Sequence, residues 1–399
     1  MSLNSTPQGE RVHIGIFGKR NAGKSSIINA ITGQNLAIVS DIMGTTTDPV
    51  SKAMELLPLG PVIITDTPGL DDSGDLGELR MSKSFQVLNK TDIAILIVDG
   101  TKGQTREDQD ILHLIQEKGI PYLIVYNKMD IDSSLKTYDD DNSICVSAVS
   151  KMGIYKLKER ICALAPKDTH LYPIVSDLVC PNDFVILVVP IDKAAPKGRL
   201  ILPQQQTIRE LLEVGATSIV VRESELEKTL FSLGKKPSLV ITDSQAFKEV
   251  SRIVPSDIML TSFSILFARH KGNLSSTIEA VTVLDHLKDG DSILISEGCT
   301  HHRQCGDIGT EKLPGWICNY SGVTPNFTFT SGTEFPNDLS TYKLIIHCGG
   351  CMLNEREMKY RYETSARKKV PMTNYGIAIA YMHGILKRSI QIFPDIVLE

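Results

Sequence analysis

The sequence lacks any apolar run approaching the roughly 18 residues that an α-helical membrane span requires. It opens "MSLNSTPQGERVHIGIFG", with no charged head followed by an apolar core, so no secretory signal is expected. Neither sign of charge dominates: 42 Lys and Arg stand against 47 Asp and Glu, and this mildly acidic balance argues against an extended nucleic-acid surface. There are no internal repeats and no low-complexity tracts. These absences point to a soluble, cytoplasmic chain with neither membrane nor nucleic acid as partner. The 399 residues suffice for two or three domains at about 150 each. The eight cysteines, 145, 162, 180, 299, 305, 318, 348 and 351, are in a reducing compartment thiols or metal ligands rather than disulfides. Five of them fall after residue 298, which hints at a local metal site.

Apolar strands alternate with helical stretches along the first third. "RVHIGIFG" (11–18) reads as a strand feeding a glycine loop, and "KSSIINAITG" as a helix closed by Gly33. "PVIITD" (61–66), "IAILIVDG" (93–100), "PYLIVYN" (121–127) and "SICVSA" (143–148) are further strands. This alternation predicts a parallel, doubly wound α/β sheet ending near Pro166. A smaller α/β unit follows over about 175 to 258, with "DFVILVVP" and "RLILP" strand-like. In it "QTIRELLEVG" reads as a helix opened by a Thr207-to-Glu210 capping box, and "TSIVV", a charged helix, "SLVITD" and "FKEVSRIV" continue the alternation. The unit holds no chemical motif, so interaction or dimerisation is its default role. A third run begins at "DIMLTSFSILFARHKGN", with a helix at 275–288, a strand at 291–298, an irregular Gly/Pro/Thr-rich stretch over 305–340 and the strand "YKLIIHCGG". A charged helix (353–369), "KVPMTNYG" and the helix "IAIAYMHGILKRSI" close it. The charges in "NEREMKYRYETSARKK" read as a solvated helix face.

"GKRNAGKS" (18–25) matches the P-loop pattern between a strand and a helix. Its glycines let backbone N–H groups wrap phosphates, Lys24 neutralises β- and γ-phosphate charge, and Ser25 offers a hydroxyl to Mg²⁺. The nucleotide-binding set from this loop is Gly18, Asn21, Ala22, Gly23, Lys24, Ser25 and Ser26. "DTPG" (66–69) follows the next strand: Asp66 can hold Mg²⁺ through water, and the Gly69 amide can meet the γ-phosphate. In "NKMD" (127–130) Asp130 can accept two hydrogen bonds from guanine, which adenine cannot supply, with Asn127 and Lys128 bracing the base. Ser147 and Ala148 follow the next strand, where a backbone N–H can reach guanine O6. "GTTTDP" (44–49) lies where a switch belongs, with Thr46 as sensor of γ-phosphate and Mg²⁺. Each tetrapeptide is weak alone; five in order and spacing predict a GTPase.

The set resembles the bacterial translation-factor-related GTPases, most of all the tRNA-modification and ribosome-assembly members, which also carry "DTPG" and the same switch pattern. Leu70 stands where Ras-like enzymes have a water-orienting Gln. The resemblance implies that Asn21 binds K⁺, which can act in place of an arginine finger, and that Glu78 positions the attacking water. Catalysis is then assigned to Lys24, Thr46 and Glu78.

The last third carries a different chemistry. "EGCTHH" puts Cys299 and His301 past the end of one strand, and "HCGGC" puts His347, Cys348 and Cys351 past the end of another, with 45 residues between the two histidines. Ligands gather at the carboxyl ends of strands in such sheets. Three thiolates with one or two imidazoles suit tetrahedral zinc or an iron–sulfur cluster with one iron lacking a thiolate, and spacing alone does not choose.

A GTPase head, a middle α/β unit and a tail with C-x-H and H-C-x-x-C together resemble the HydF family of FeFe-hydrogenase maturation GTPases, over the whole chain. The resemblance implies three domains: 1–170 for GTP binding, 171–262 for dimerisation and 263–399 for the cluster. It implies GTP hydrolysis with Mg²⁺, a homodimer, and a 4Fe-4S cluster on Cys299, Cys348 and Cys351. His301, His347 and Asp307 stand as fourth ligand or as supports behind the ligands, with Cys305 an alternative on the same loop. Cys145, Cys162, Cys180 and Cys318 are read as structural. The implied role is a scaffold or carrier that receives a diiron precursor from two radical-SAM maturases and hands it to the apo-hydrogenase. The competing expectation is a zinc-binding GTPase acting in RNA modification or ribosome assembly.

Overall fold

The computed structural model describes residues 6, 8–33, 49–68, 83–131, 139–165, 172–191, 200–271, 274–298, 307–393 and 396. Thr46, Gly69, Leu70, Glu78, Cys299, His301 and Cys305 lie outside the described residues. The chain is a multidomain α/β protein that divides into two compact units, 1–168 with 354–357, and 169–353 with 358–399.

The first unit is built on six strands: β1 (Val12–Phe17), β2 (Val50–Leu56), β3 (Gly60–Asp66), β4 (Ile93–Asp99), β5 (Tyr122–Asn127) and β6 (Ser143–Cys145). Their order is β2-β3-β1-β4-β5-β6, all parallel except β2, which pairs antiparallel with β3. Strand β2 is mostly exposed and its apolar residues are interrupted by Ser51, Lys52 and Glu55 ("VSKAMEL"), so it lacks the apolar run that marks its neighbours, and sequence reading passes over it. Strand β4 explains the layering. Ile93, Ile95 and Ile97 pack with Ile27 and Ile31 of helix Lys24–Thr32 and Leu157 and Ile161 of helix Ile154–Ala163. The intervening Ala94, Leu96 and Val98 pack with Ile111 and Ile115 of helix Arg106–Glu117. A strand apolar on both pleated faces is what a sheet covered on both sides demands.

The second unit holds two four-stranded parallel sheets. In one, β7 (Phe184–Val188), β8 (Thr217–Val221), β9 (Leu239–Thr242) and β10 (Met259–Ser262) are ordered β10-β9-β7-β8. In the other, β11 (Ser292–Glu297), β12 (Asn326–Ser331), β13 (Leu344–His347) and β14 (Met372–Asn374) are ordered β12-β11-β13-β14. One apolar core runs through both, from Ile174 to Phe393. Gly376 is part of the reason. A Cβ there would lie 2.2 Å from Ser264 Cβ, so only glycine lets helix Tyr375–Met382 approach helix Phe263–His270 this closely.

The structure corrects four readings of this half. Residues 259–262, counted with the third run, form the edge strand β10 of the earlier sheet. In "RLILP" the described residues are no strand: helix Leu202–Glu213 starts there, with Pro203 in its first turn, where a missing N–H costs nothing. Thr207 is therefore inside that helix, and its hydroxyl donates back to Pro203 O at 2.8 Å. Glu210 is no capping partner; it accepts the N–H groups of Ile174, Val175 and Ser176 at 2.8–3.1 Å. Finally, 305–340 is not irregular. It contains helix Leu313–Ser321 and strand β12, whose polar "NFTFTS" lacks the density of apolar residues that betrays a central strand. Among the described residues, no helix is long and apolar enough to cross a membrane.

Candidate nucleotide and metal sites

At the carboxyl end of β1 the chain turns through the P-loop into helix Lys24–Thr32. Asn21 adopts φ 59° and Gly23 φ 94°, and a Cβ on Gly23 would sit 2.2 Å from Asn127 Nδ2. Glycine is thus required both by the left-handed backbone and by the neighbouring loop. Lys24 Nζ donates to the carbonyls of Gly18 and Lys19, each at 2.9 Å, holding its charge inside the loop. Ser25 Oγ donates to Asp66 Oδ2 at 3.1 Å, which brings together the two groups expected around Mg²⁺. Asp66 Oδ1 is buried with no hydrogen-bond partner. Burial pushes the Asp66 carboxyl above its ordinary range, and the Lys24 charge and Ser25 hydroxyl offset this only partly. A divalent cation would satisfy that oxygen and favour the carboxylate, so the donor set fits Mg²⁺.

The base-reading loops are tied to the P-loop before any base is considered. Buried Asn127 donates from Nδ2 to Ala22 O at 3.0 Å and accepts the Ala148 N–H at Oδ1 at 3.1 Å. The Ala148 amide, expected to face guanine O6, is thus engaged by Asn127. Ser147 is fully buried; its N–H donates to Met152 O at 3.0 Å, and its hydroxyl accepts the Ser150 N–H at 3.0 Å. Lys128, at φ 73°, forms an ion pair with Asp99 Oδ2 at 2.6 Å. Asp99 itself is held below the usual carboxylate range: burial opposes this, but hydrogen bonds from Lys128 and Thr101 outweigh it. Asp130 is exposed at the tip of the turn. Ser26 follows Ser25 in the helix. Asp99, which ends β4 in "IVDG", escaped sequence reading because no motif marks a carboxylate that acts through its neighbour's lysine.

The second site lies at the carboxyl ends of β11 and β13. Cys348 Sγ accepts the N–H groups of Gly298 at 3.0 Å and Gly350 at 3.4 Å, so one sulfur joins the two strand ends. Gly350 has φ 61°, and a Cβ there would meet Met358 Sδ at 2.6 Å. Burial pushes the Cys351 thiol up, the charge of Cys348 adds to this, and Lys271 opposes it. Lys271 Nζ donates to Gly349 O at 3.2 Å and Gly350 O at 3.4 Å. Two adjacent sulfurs, amide donors aimed at one, and a lysine on the loop fit a metal that would draw both to thiolate. Among the described residues no group of three or more His, Cys, Asp or Glu is arranged to hold a metal; Cys299 is not one of those residues.

His347 is the last residue of β13 rather than a loop residue, and it is fully buried. Its Nδ1 lies 2.6 Å from Cys348 O and its Nε2 2.9 Å from Arg361 Nη1. A guanidinium only donates, so Nε2 accepts and Nδ1 carries the proton. Both ring nitrogens are thereby committed. Asp307 Oδ2 accepts the Thr310 N–H at 2.9 Å and the Thr310 hydroxyl at 2.8 Å, capping the turn that follows. Glu297, the buried end of β11, accepts the Tyr375 hydroxyl at 3.2 Å. Burial and then the nearby Glu297 and Cys348 charges keep Tyr375 protonated. Arg361 was missed because it sits in a helix read as a solvated face: Glu355, Lys359, Glu363 and Arg367 are exposed as expected, but Arg356 is half-buried and Glu357, like Arg361, is buried. The available signal was spacing: Met358, Arg361 and Ser365 lie at i, i+3 and i+7 and are all buried.

Three family models match successive parts of the chain. Residues 13–128 match the 50S ribosome-binding GTPase model, and the first domain is a P-loop GTPase domain. Residues 174–272 match the hydrogen maturase F dimerization domain and 275–392 the hydrogen maturase F tetramerization domain. The chain belongs to the hydrogen maturase F family. Its first part is also similar to the tRNA modification GTPase MnmE of Nitrosomonas eutropha, at 33% identity over 153 residues, covering 37% of this chain and 34% of that protein. The Desulforamulus reducens MnmE is 36% identical over 154 residues, 37% of this chain and 33% of that protein. The chain thus spans about a third of the length of these relatives. Among solved structures, a variant of Aquifex aeolicus Era bound to GDP and AlF4⁻ is similar at 21% identity and a TM-score of 0.35, covering 53% of this chain and 93% of that one. At that score the likeness is too slight to carry an inference.

Proposed function

We propose that this chain hydrolyses GTP in its first domain and, in its last, holds a 4Fe-4S cluster on Cys299, Cys348 and Cys351, serving as scaffold or carrier for the diiron subcluster of FeFe-hydrogenase. The observation that carries the reading is Cys348, which follows β13 and whose sulfur takes one N–H from the end of β11 and one from its own loop, within residues that match hydrogen maturase F. The domains are taken as 1–170, 171–262 and 263–399. The matched dimerization and tetramerization domains support self-association of the chain. Two radical-SAM maturases and the apo-hydrogenase are the proposed partners, and the cytoplasm the proposed site.

In hydrolysis the P-loop amides take the phosphates. Lys24 exchanges the Gly18 and Lys19 carbonyls for phosphate oxygen, and Ser25, Thr46 and Asp66 hold Mg²⁺. Gly69 meets the γ-phosphate, Glu78 positions water, and Asp130 reads guanine. Bound Mg²⁺ supplies charge to the transferring phosphoryl group. Asn21 holds K⁺, which compensates for Leu70 in place of a glutamine. Rates in KCl should therefore exceed those in NaCl at matched ionic strength by roughly tenfold or more, short of the ~10³-fold of the weakest arginine fingers. Asn21→Ala should erase the difference, and equal parental rates in the two salts would remove Asn21 from the mechanism.

In the last domain Cys299, Cys348 and Cys351 would hold the cluster, with His301 or Asp307 as candidate fourth ligand, and the cluster would supply an exchangeable site for the diiron cargo. Anaerobic purification and reconstitution with iron and sulfide, followed by metal analysis and EPR of the reduced protein, tests this. About four irons per chain and a reduced-cluster signal altered by added imidazole or cyanide are expected. Zinc as the only metal taken up would sink it in favour of a structural zinc site.

A further inference from the structure

Among the described residues the largest fully buried side chain is a cation, Arg361. Its Nη1 donates to Ser296 Oγ at 3.2 Å and to His347 Nε2 at 2.9 Å, and its Nη2 donates to Gly332 O at 2.7 Å. Its guanidinium carbon lies 5.1 Å from the centroid of the Phe335 ring. Ser296 is in β11, Gly332 directly follows β12, and His347 ends β13. One side chain therefore ties three strand ends together beneath the cysteines. Two residues beyond Ser296 is Gly298, whose amide donates to Cys348 Sγ; one residue beyond His347 is Cys348 itself. Through His347 the guanidinium also reaches the Cys348 carbonyl, because an imidazole accepting at Nε2 must donate from Nδ1. From the other side of the same loop, Lys271 donates to the carbonyls of Gly349 and Gly350. A guanidinium stays charged under all ordinary conditions.

We propose that Arg361 is a positioning residue for the metal centre, orienting the Cys348 loop through His347, and that with Lys271 it forms a two-cation frame that stabilises negative charge on the sulfurs of a bound cluster. The inference rests on the cluster reading of Cys348 and Cys351. Cations and amide donors around cluster sulfurs favour the reduced, more negative state, so the frame raises the cluster's reduction potential. Cargo that docks here as an anionic metal complex would gain from the same field.

The test uses the full chain, reconstituted anaerobically with iron and sulfide, as parent, Arg361→Gln, Arg361→Lys and Lys271→Gln. Midpoint potential is read by EPR during dithionite titration, and cluster retention by the rate of iron loss to a chelator. Arg361→Gln should keep iron but lose it about 10- to 100-fold faster, with a lowered midpoint potential. Arg361→Lys, which keeps the charge but not the planar fork, should lower the potential less while loosening the cluster nearly as much. Lys271→Gln, at a partly exposed position, should lower the potential without a large change in iron loss. If Arg361→Gln fails to fold, the other two variants carry the test, and parental potentials in both overturn the proposal. A folded Arg361→Gln chain with reduced iron content but a parental potential assigns Arg361 a purely structural role and overturns it also. A parent that takes up no iron overturns the cluster reading itself, and this inference with it.

Discussion

The nucleotide site and the cysteine site are both built at the carboxyl ends of parallel strands, yet they are assembled differently. In the first, nearly every group with a role lies in a short stretch of its own: "GKRNAGKS", "DTPG", "NKMD" and "SA". The cross-links between these stretches, Asn127 to Ala22 and Ala148 to Asn127, join motif to motif. In the second, "HCGGC" announces the sulfurs, but what surrounds them comes from scattered places: Ser296, Gly298, Gly332, Arg361, Lys271, Glu297 and Tyr375. The difference follows from what each site must hold. Phosphate is bound by consecutive backbone amides, which only a particular local run of glycine, lysine and serine can present. The proposed metal would need its thiolates close in space, and the field around them can be drawn from any element that packs nearby.

The largest expected effect separates the two sites outright. Lys24→Ala should abolish GTP hydrolysis yet take up iron and sulfide like the parent, while Cys351→Ala should lose the cluster and keep hydrolysis. Phosphate release and iron analysis on the same preparations decide it. A Lys24→Ala chain that cannot acquire a cluster would make the two sites one unit and end the comparison.

Next in size, Asp130→Asn should cost about 10⁴-fold in preference for guanine, because an amide presents a donor where the base also donates. Competition between GTP and xanthosine triphosphate reads it. Parental use of GTP by the variant would mean that the base is recognised elsewhere.

The smallest effect lies away from both sites. Glu210 accepts three backbone N–H groups from Ile174, Val175 and Ser176, and its carboxyl sits below its ordinary value. Burial opposes that shift, and the amide hydrogen bonds outweigh it. A lowered folded value means the stabilisation is full above the unfolded carboxyl's range and is lost as pH falls through the folded one. Glu210→Gln should therefore cost about 1 kcal/mol at pH 7, and the gap from the parent should begin to narrow as pH falls below about 4, the ordinary carboxylate range. Urea unfolding at the two pH values measures it. The variant also sharpens the comparison, since a general loss of stability should leave guanine preference and iron content alone. A gap that widens in acid would contradict the role given to Glu210.

Strongly apolar strands were legible from the sequence, because residues such as Ile93–Val98 face helices on both sides and leave no polar alternation. Polar strands were not. β2 and β12 break up their apolar residues with polar ones, and neither shows a continuous apolar run. The same holds for caps: Thr207 and Glu210 have the spacing of a helix start, yet a proline four residues earlier already begins the helix.

Backbone-local patterns in the sequence encode a phosphate loop, the turn proposed to read guanine and a cysteine pair after a strand. Only the tertiary structure decided which neighbours tune that chemistry. Asp99 holds Lys128, His347 is buried with both nitrogens engaged, and Arg361, one charge among many in a polar helix, sits under the cysteines. A charged residue's role depends on what it faces. That is set by the packing of strands and helices far apart in the chain, which leaves in the local sequence only the faint helical spacing of Met358, Arg361 and Ser365.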